Sequence, residues 1–198
     1  MQHAFPTGWR TAEELASWRR HYEKADVSVG EYDLGGVEWR ACLASDLPRA
    51  MVTATTVFQG PIEHLPQLRE VEFVPFRTGA LRMPVKAWEW LLRVSWMTGH
   101  ASQRACRDQF HQRVTAVAER LCALEQDTLV VSHMGFILRL SEELRRRGFS
   151  GPRLRWVKHA TAYVFGRSDA AAPNAESAKV AAAIRRSRAH ELEGQPPA

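Results

Sequence analysis

The chain has few cysteines and no long apolar run, and each shortage excludes a class of protein. The three cysteines are scattered without metal-ligand spacing, and their odd number argues against a disulfide framework. No window approaches the roughly 18 uninterrupted apolar residues of a membrane-spanning helix. The first residues lack the basic and apolar regions of a signal peptide. These features predict a reduced, cytoplasmic protein with no structural metal and no membrane partner.

Acidic residues are in the minority, since 27 Lys and Arg face 22 Asp and Glu, for a formal net charge of +5. From Asp169 onward four acids balance four bases, so the whole excess lies before that residue. A positively charged body suits an anionic ligand or an acidic partner, and the charge alone does not choose between them.

The size and composition are those of an ordinary globular domain. The chain has 198 residues, 45% of them hydrophobic and 25% charged, which is enough for one sizeable core and short for two. We predict one domain over residues 1–168. Residues 169–198 are rich in Ala, Ser and Pro and are predicted to form a largely disordered tail.

Helical and strand patterns alternate along the chain. A capping box at Thr11–Glu14 begins the first helix, and Ser45 or Asp46 is the predicted N-cap of the second. This order predicts an α/β fold, a single three-layer domain with a largely parallel central sheet flanked by helices. The predicted elements are helix 11–26, strand 37–44, helix 48–59, a mostly irregular segment 61–87, helices 86–97 and 102–125, strand 129–131, a helix ending at 147, and strand 156–165.

Tryptophan is concentrated in the predicted helix 86–97. Trp88, Leu92 and Trp96 fall on one face of that helix, which favours packing against the core. A lid or a wall of a substrate pocket is the alternative interpretation.

Two predicted strands end in polar residues that could form a site. The apolar run before Ser132 is followed by His133 and Gly135, and the other strand is followed by Asp46 and Arg49. Ligands of open α/β sheets bind at the carboxyl ends of strands, and helix N-termini there favour anions. An arginine fork and a histidine at neighbouring strand ends predict a phosphate site with a general acid or an electrostatic stabiliser.

These residues resemble the motifs of the histidine phosphatase superfamily, the phosphoglycerate-mutase-like proteins. The resemblance covers roughly residues 9–166 and implies a phosphoglycerate-mutase-like fold. It implies that Arg49 binds the phosphoryl group, that Glu70 protonates the leaving group, and that His133 stabilises the phosphoryl group during its transfer. The matching motifs are Ser45-Asp46-Leu47-x-Arg49-Ala50-x-x-Thr53-Ala54, Leu68-Arg69-Glu70 and Val130-Val131-Ser132-His133-x-Gly135, in the order of the family.

The chemistry implied by the resemblance is hydrolysis of phosphoric monoesters without a metal or another cofactor. In the family a second histidine attacks phosphorus and carries it as phosphohistidine, which water then hydrolyses. The substrate would be a phosphorylated small molecule or a phosphoprotein. Which substrate it is, and the oligomeric state, stay open at this stage.

The family places the attacking histidine in an Arg-His-Gly motif after the first strand, and this sequence contains no such motif. The nearest candidate is His3, in Gln2-His3-Ala4, with room for only two residues before it. Three explanations are open. In the first, the natural start of the protein lies upstream and carries the motif. In the second, His3 is a degenerate nucleophile. In the third, the chain has lost catalysis.

Other interpretations compete at single points. Glu72 lies two residues from Glu70 and is an alternative acid. A non-enzymatic protein that binds phosphorylated ligands or acts as a scaffold would keep Arg49 and His133 without a nucleophile. A serine hydrolase is excluded, because a nucleophile elbow needs glycine two residues before Ser132, where Val130 stands.

A basic cluster at 145–158 holds six bases and no acid, which invites a nucleic-acid interpretation. Its first part closes a helix at Gly148, where cations complement the helix dipole. It also lies about 20 Å along that helix from Met134, and so far from the predicted phosphate site at the start of the helix. We therefore favour a solvated helix end and predict no nucleic-acid partner.

Overall fold

The structure, a computed structural model, describes residues 6–22, 32 and 34–167. His3 and the predicted tail lie outside the described residues, so the division into a domain and a tail stays a prediction. In chain order the elements are β1 (Trp9–Arg10), α1 (Ala12–Tyr22), β2 (Ala41–Ser45), α2 (Pro48–Val57), β3 (Ile62–Leu65), a 3-10 helix (Pro66–Leu68), β4 (Met83–Pro84), α3 (Val85–Thr98), α4 (Ala101–Ala123), β5 (Thr128–Val131), α5 (Met134–Arg146), β6 (Phe149–Ser150) and β7 (Gly166–Arg167).

The central sheet is parallel, in the order β3-β2-β5. In the middle strand, Ser45 pairs with Leu65 of β3 and Ala44 pairs with Val131 of β5. All three strands therefore end at the same edge of the sheet, and the residues that follow them meet there.

Helices cover both faces of this sheet, which confirms the α/β prediction. Leu43 of β2 packs into a cluster with residues of α4 and α5. The neighbouring Cys42 and Ala44 point the other way and pack with Ala54 of α2 and Leu129 of β5. Alternate side chains of a strand point to opposite faces, so one short strand serves both layers.

The helices form where local sequence favours them. In the predicted capping box the Thr11 N–H donates to Glu14 at 3.0 Å, and the Glu14 N–H donates to Thr11 Oγ1 at 3.1 Å. Helix α3 ends at Gly99, whose φ of 68° is a left-handed conformation that glycine adopts without steric cost.

The predicted core face of α3 is confirmed at two of its three positions. Trp88 and Trp96 are 1% and 6% exposed, whereas Leu92 is only partly buried. The Trp96 ring meets the Phe110 ring of α4 edge to face at 5.7 Å, and Phe110 meets Phe136 of α5 in the same way at 5.9 Å. These aromatic contacts fix α3, α4 and α5 against one another.

The prediction of a last strand over 156–165 is wrong. Among the described residues from 156 to 167, only Gly166–Arg167 forms a strand, and it pairs antiparallel with β6. Ala160 has a φ of 58°, which breaks an extended backbone, and the Lys158 N–H donates to the Tyr163 hydroxyl at 3.0 Å instead of to a neighbouring strand.

Two details near the sheet differ from the prediction. The segment 61–87 is mostly irregular, as predicted, but it also contains strand β3, whose four residues stand between prolines at an edge of the sheet, where proline is tolerated. The N-cap of α2 is Leu47 without a side-chain cap, and Pro48 follows it in the first turn. Asp46 instead binds Arg69, and Ser45 Oγ accepts from the Leu47 N–H at 3.3 Å.

Candidate active site

Three loops meet at the carboxyl edge of the sheet, one after each strand. The loop after β2 leads to Arg49, the loop after β5 holds His133, and the 3-10 helix after β3 leads to Glu70. Arg69 ties the first of these loops to the third through two hydrogen bonds to the Asp46 carboxylate, at 2.7 and 2.6 Å. The structure thus brings three of the four predicted site residues to one edge, while His3 lies outside the described residues.

Arg49 is the second residue of α2, so its guanidinium extends from the N-terminal turn of that helix. Its Nε donates to Nδ1 of His133 at 3.1 Å, and its Cζ lies 5.3 Å from the centre of the Tyr22 ring. Within the described part of the chain its Nη1 is buried and has no hydrogen-bond partner. A buried guanidinium donor without an acceptor is costly, and an anion is the partner that suits it best.

His133 is buried, and its hydrogen bonds fix its tautomer. An arginine can only donate, so Nδ1 is unprotonated and Nε2 carries the proton, which it donates to Ser45 Oγ at 3.0 Å. The pKa of His133 is lowered from 6.5 to about 3. Burial is the largest cause, and the positive charge of Arg49 is the next largest. At neutral pH this histidine is therefore uncharged and acts as a hydrogen-bond donor through Nε2.

This environment predicts a pH-dependent stability. Because the unfolded chain binds a proton at His133 near pH 6.5 and the folded chain only near pH 3, the free energy of unfolding falls as the pH drops through that window. The expected slope from this residue is about 1.4 kcal/mol per pH unit. Urea unfolding of the wild type and His133→Asn, from about pH 8 to about pH 4, measures it.

The difference in stability between the two proteins isolates the histidine. It should stay constant above about pH 6.5, where only packing and hydrogen bonds distinguish them, and shrink below that pH. Parallel stability curves over the whole range would contradict the assigned neutral state of His133.

Glu70 reaches the N-terminus of α5, beside His133. Its Oε1 accepts from the Val71 N–H at 2.9 Å, and its Oε2 accepts from the Gly135 N–H at 3.2 Å. A Cβ at position 135 would lie 2.6 Å from Glu70 Oε1, so a larger residue there would displace the Glu70 carboxylate from its present position. Glu72 is exposed and faces α4. Cys106 of that helix has a raised pKa, for which its own burial is the largest cause and the charge of the Glu72 carboxylate the second. The geometry thus favours Glu70 over Glu72 as the acid, and its role stays a prediction.

Three residues at this edge were not predicted to take part in the site. Ser45 serves as the acceptor for His133, Tyr22 of α1 covers one face of Arg49, and the positive charge of Arg19 adds to the lowering of the His133 pKa. The capping box predicted α1 itself, but an amphipathic helix carries no signal for which part of the fold it will contact.

The described residues show neither a metal-binding cluster nor a membrane-spanning helix. Across residues 6–22, 32 and 34–167, no group of three or more His, Cys, Asp or Glu side chains is placed to hold a metal ion. Across the same residues, no helix combines the length and apolar character needed to cross a membrane.

One comparison with known proteins, the family match, agrees with the motifs. Residues 9–172 match the profile of the histidine phosphatase superfamily (branch 1). Among curated proteins no sequence matches the chain. One solved structure, "a putative alpha-ribazole-5'-P phosphatase" from Escherichia coli str. K-12 substr. MG1655, is 27% identical at a TM-score of 0.39, and the match covers 56% of this chain and 58% of that chain.

Proposed function

This chain belongs to the histidine phosphatase superfamily, and from that premise we propose that it hydrolyses phosphoric monoesters through a phosphohistidine intermediate, without a metal. The substrate would be a phosphorylated small molecule or a phosphoprotein. The family match supports phosphatase chemistry in general, and the geometry of the sheet edge supports the finer proposal.

One observation carries the proposal, namely the buried Arg49 guanidinium with a free donor. The Arg49 Nε already donates a hydrogen bond to His133 Nδ1, while its Nη1 has no acceptor within the described residues. A phosphoryl oxygen would complete this set of hydrogen bonds, and the arginine fork matches phosphate geometry. The site therefore has a donor ready for an anion next to a neutral histidine that donates from Nε2.

The proposed reaction has two steps. The nucleophilic histidine nitrogen forms a bond to phosphorus while the bond from phosphorus to the leaving oxygen breaks, and protonated Glu70 gives that oxygen its proton. Water then attacks the phosphohistidine, the phosphorus–nitrogen bond breaks, and Glu70 takes a proton from the water. Arg49 and His133 stabilise the phosphoryl oxygens through both steps.

His3 is the proposed nucleophile within this sequence. The test is hydrolysis of p-nitrophenyl phosphate in the presence of EDTA, together with an alkaline quench that preserves phosphohistidine. We expect steady turnover and a trapped phosphohistidine in the wild type, both lost in His3→Ala. Turnover that persists in His3→Ala would overturn the role of His3.

The same assay on a chain extended at the N-terminus by upstream in-frame sequence separates the remaining explanations. Activity confined to an extension that carries Arg-His-Gly would place the nucleophile upstream of Met1. Background turnover in both chains would overturn the proposed hydrolase.

A second function, binding of phosphorylated ligands without turnover, is favoured by the absence of Arg-His-Gly from the sequence. This function keeps Arg49 and His133 and needs no nucleophile. Its signature is an inactive protein whose thermal midpoint rises with added inorganic phosphate, because a ligand that binds only the folded state stabilises it. Loss of that rise in Arg49→Ala would locate the binding at this site.

A further inference from the structure

The segment that carries Glu70 has no regular secondary structure from Arg69 to Thr78. Its backbone groups cannot rely on a helix or a strand for hydrogen bonds, so they need other partners. Side chains of α4 supply several of them. Residues 67–74, which are the last two residues of the 3-10 helix and the first six of this irregular segment, are called here the acid segment.

Three side chains on one face of α4 bind the acid segment along its length. At its far end the fully buried Gln103 donates to the Val74 carbonyl at 2.7 Å and accepts from the Val74 N–H at 2.9 Å. In the middle, Cys106 donates to the Glu72 carbonyl at 2.7 Å. Spacings of three and seven residues place Gln103, Cys106 and Arg113 on one side of the helix.

Arg113 binds the end of the acid segment that holds the proposed acid. Its Nη1 donates to the carbonyls of Gln67 and Arg69 at 3.2 and 2.9 Å, and its Nη2 donates to the Glu70 carbonyl at 3.4 Å. A guanidinium fork can span three carbonyls, whereas a lysine ammonium is a single point of charge. Glu70 is thus held twice, with its carbonyl on Arg113 and its carboxylate on Gly135.

Arg113 is itself fixed in place. Its Cζ lies 5.4 Å from the centre of the buried Phe110 ring, which also packs against Phe136 of α5. Arg113 is half-buried among its carbonyl acceptors, and burial is the largest cause of its lowered pKa. The packing of α4 on α5 therefore sets the position of the Glu70 backbone relative to the N-terminus of α5.

We propose that Arg113 is a positioning residue for proton transfer by Glu70, acting through the three carbonyls that it binds around that residue. The inference rests on the proposed phosphatase function. This role differs from a purely structural one, because it assigns Arg113, which lies far from Arg49 in the sequence, to one step of the reaction, the proton transfer by Glu70.

The test compares two aryl phosphates that differ in their need for a proton. Phenyl phosphate releases a basic phenolate that needs protonation, and p-nitrophenyl phosphate releases an anion that leaves without it. In Arg113→Lys we expect kcat/KM for phenyl phosphate to fall by about 10- to 100-fold, because a small misplacement of a catalytic group has effects of that size. For p-nitrophenyl phosphate kcat/KM should stay close to wild type, since it reports only the steps up to departure of the leaving group and Arg49 and His133 are untouched.

The matched control is Arg120→Lys, two turns further along the same face of α4. Arg120 forms an exposed ion pair with Glu63 of β3 and binds nothing in the acid segment among the described residues. Exposed ion pairs contribute little, so both substrates should be turned over as by the wild type. A second comparison adds Arg113→Lys to Glu70→Gln, where it should cause no further loss, because the two residues act in one step.

The outcomes separate the inference from the proposed function. Equal losses of kcat/KM on both substrates in Arg113→Lys, or a further loss in the Glu70→Gln background, would show a structural role and overturn the inference alone. Arg113→Gln, which keeps one donor, serves as the second variant if Arg113→Lys does not fold, with the same expected pattern. Background turnover of both substrates by the wild type would overturn the proposed function, and this inference with it.

Discussion

Replacing Arg49 with alanine is expected to lower kcat/KM for p-nitrophenyl phosphate by about 10³-fold, the upper range for removing one preorganised donor from a site of developing charge. The guanidinium is the charged group in direct contact with His133, and its Nη1 is the buried donor without a partner in the described residues. Arg49→Lys keeps the charge but loses the fork, so we expect an intermediate loss of about 10²-fold. Steady-state kinetics on the three proteins measures the series.

A control and a binding measurement make this prediction sharper. Arg139 lies on α5 in an exposed ion pair with Glu142, and Arg139→Ala should keep wild-type activity. Inorganic phosphate should raise the thermal midpoint of the wild type and of Arg139→Ala, but not that of Arg49→Ala. Near-normal turnover in Arg49→Ala would exclude the proposed role of Arg49.

The neutral state of His133 changes how this site can act on a phosphoryl group. With its pKa lowered to about 3, His133 contributes no positive charge at neutral pH. The charge must come from arginine, and His133 contributes a hydrogen bond from Nε2, now donated to Ser45 Oγ. A phosphoryl oxygen at Nε2 would take the place of Ser45. The cost of that exchange is small, because one hydrogen bond is replaced by a stronger one to an anion.

Local patterns predicted the parts of the site that depend on local geometry. The apolar run before Ser132 and the strand before Asp46 located β5 and β2, and parallel pairing then required Arg49 and His133 to approach. The contact between Arg49 and His133 confirms that expectation of proximity. Strand β3 was missed because four residues between prolines give no periodic signal, although it brings Glu70 to the same edge.

Contacts between segments that are distant in the chain could not be predicted from the sequence. Arg113 lies in an amphipathic helix, where an arginine looks like any solvated residue, and only the packed fold shows that it binds three carbonyls. Ser45 was a candidate helix cap, and the structure gives its hydroxyl to His133 and the Leu47 N–H. In both cases the partner is set by tertiary packing, which local propensity does not encode.

Replacing Glu70 with glutamine is expected to lower kcat/KM for phenyl phosphate by about 10² to 10⁴-fold, the range for loss of a general acid. Glutamine has the same shape, and its single Oε1 can still accept from one of the two N–H groups, of Val71 or of Gly135, so the fold should hold. For p-nitrophenyl phosphate kcat/KM should fall far less, because its leaving group needs no proton. The ratio of kcat/KM values for the two substrates is the measurement, since it excludes the later hydrolysis of the phosphohistidine, in which Glu70 acts as base for both substrates.

Glu72→Gln is the matched control, since Glu72 is the alternative acid two residues away. Its side chain is exposed and faces Cys106 and Arg113 of α4, whereas the Glu70 carboxylate lies on the Gly135 N–H at the start of α5. We therefore expect the substrate ratio of Glu72→Gln to match the wild type. A selective loss on phenyl phosphate in Glu72→Gln, with none in Glu70→Gln, would transfer the acid role to Glu72. It would also remove the basis for Arg113 as a positioning residue, because the carbonyls that Arg113 binds belong to residues 67, 69 and 70.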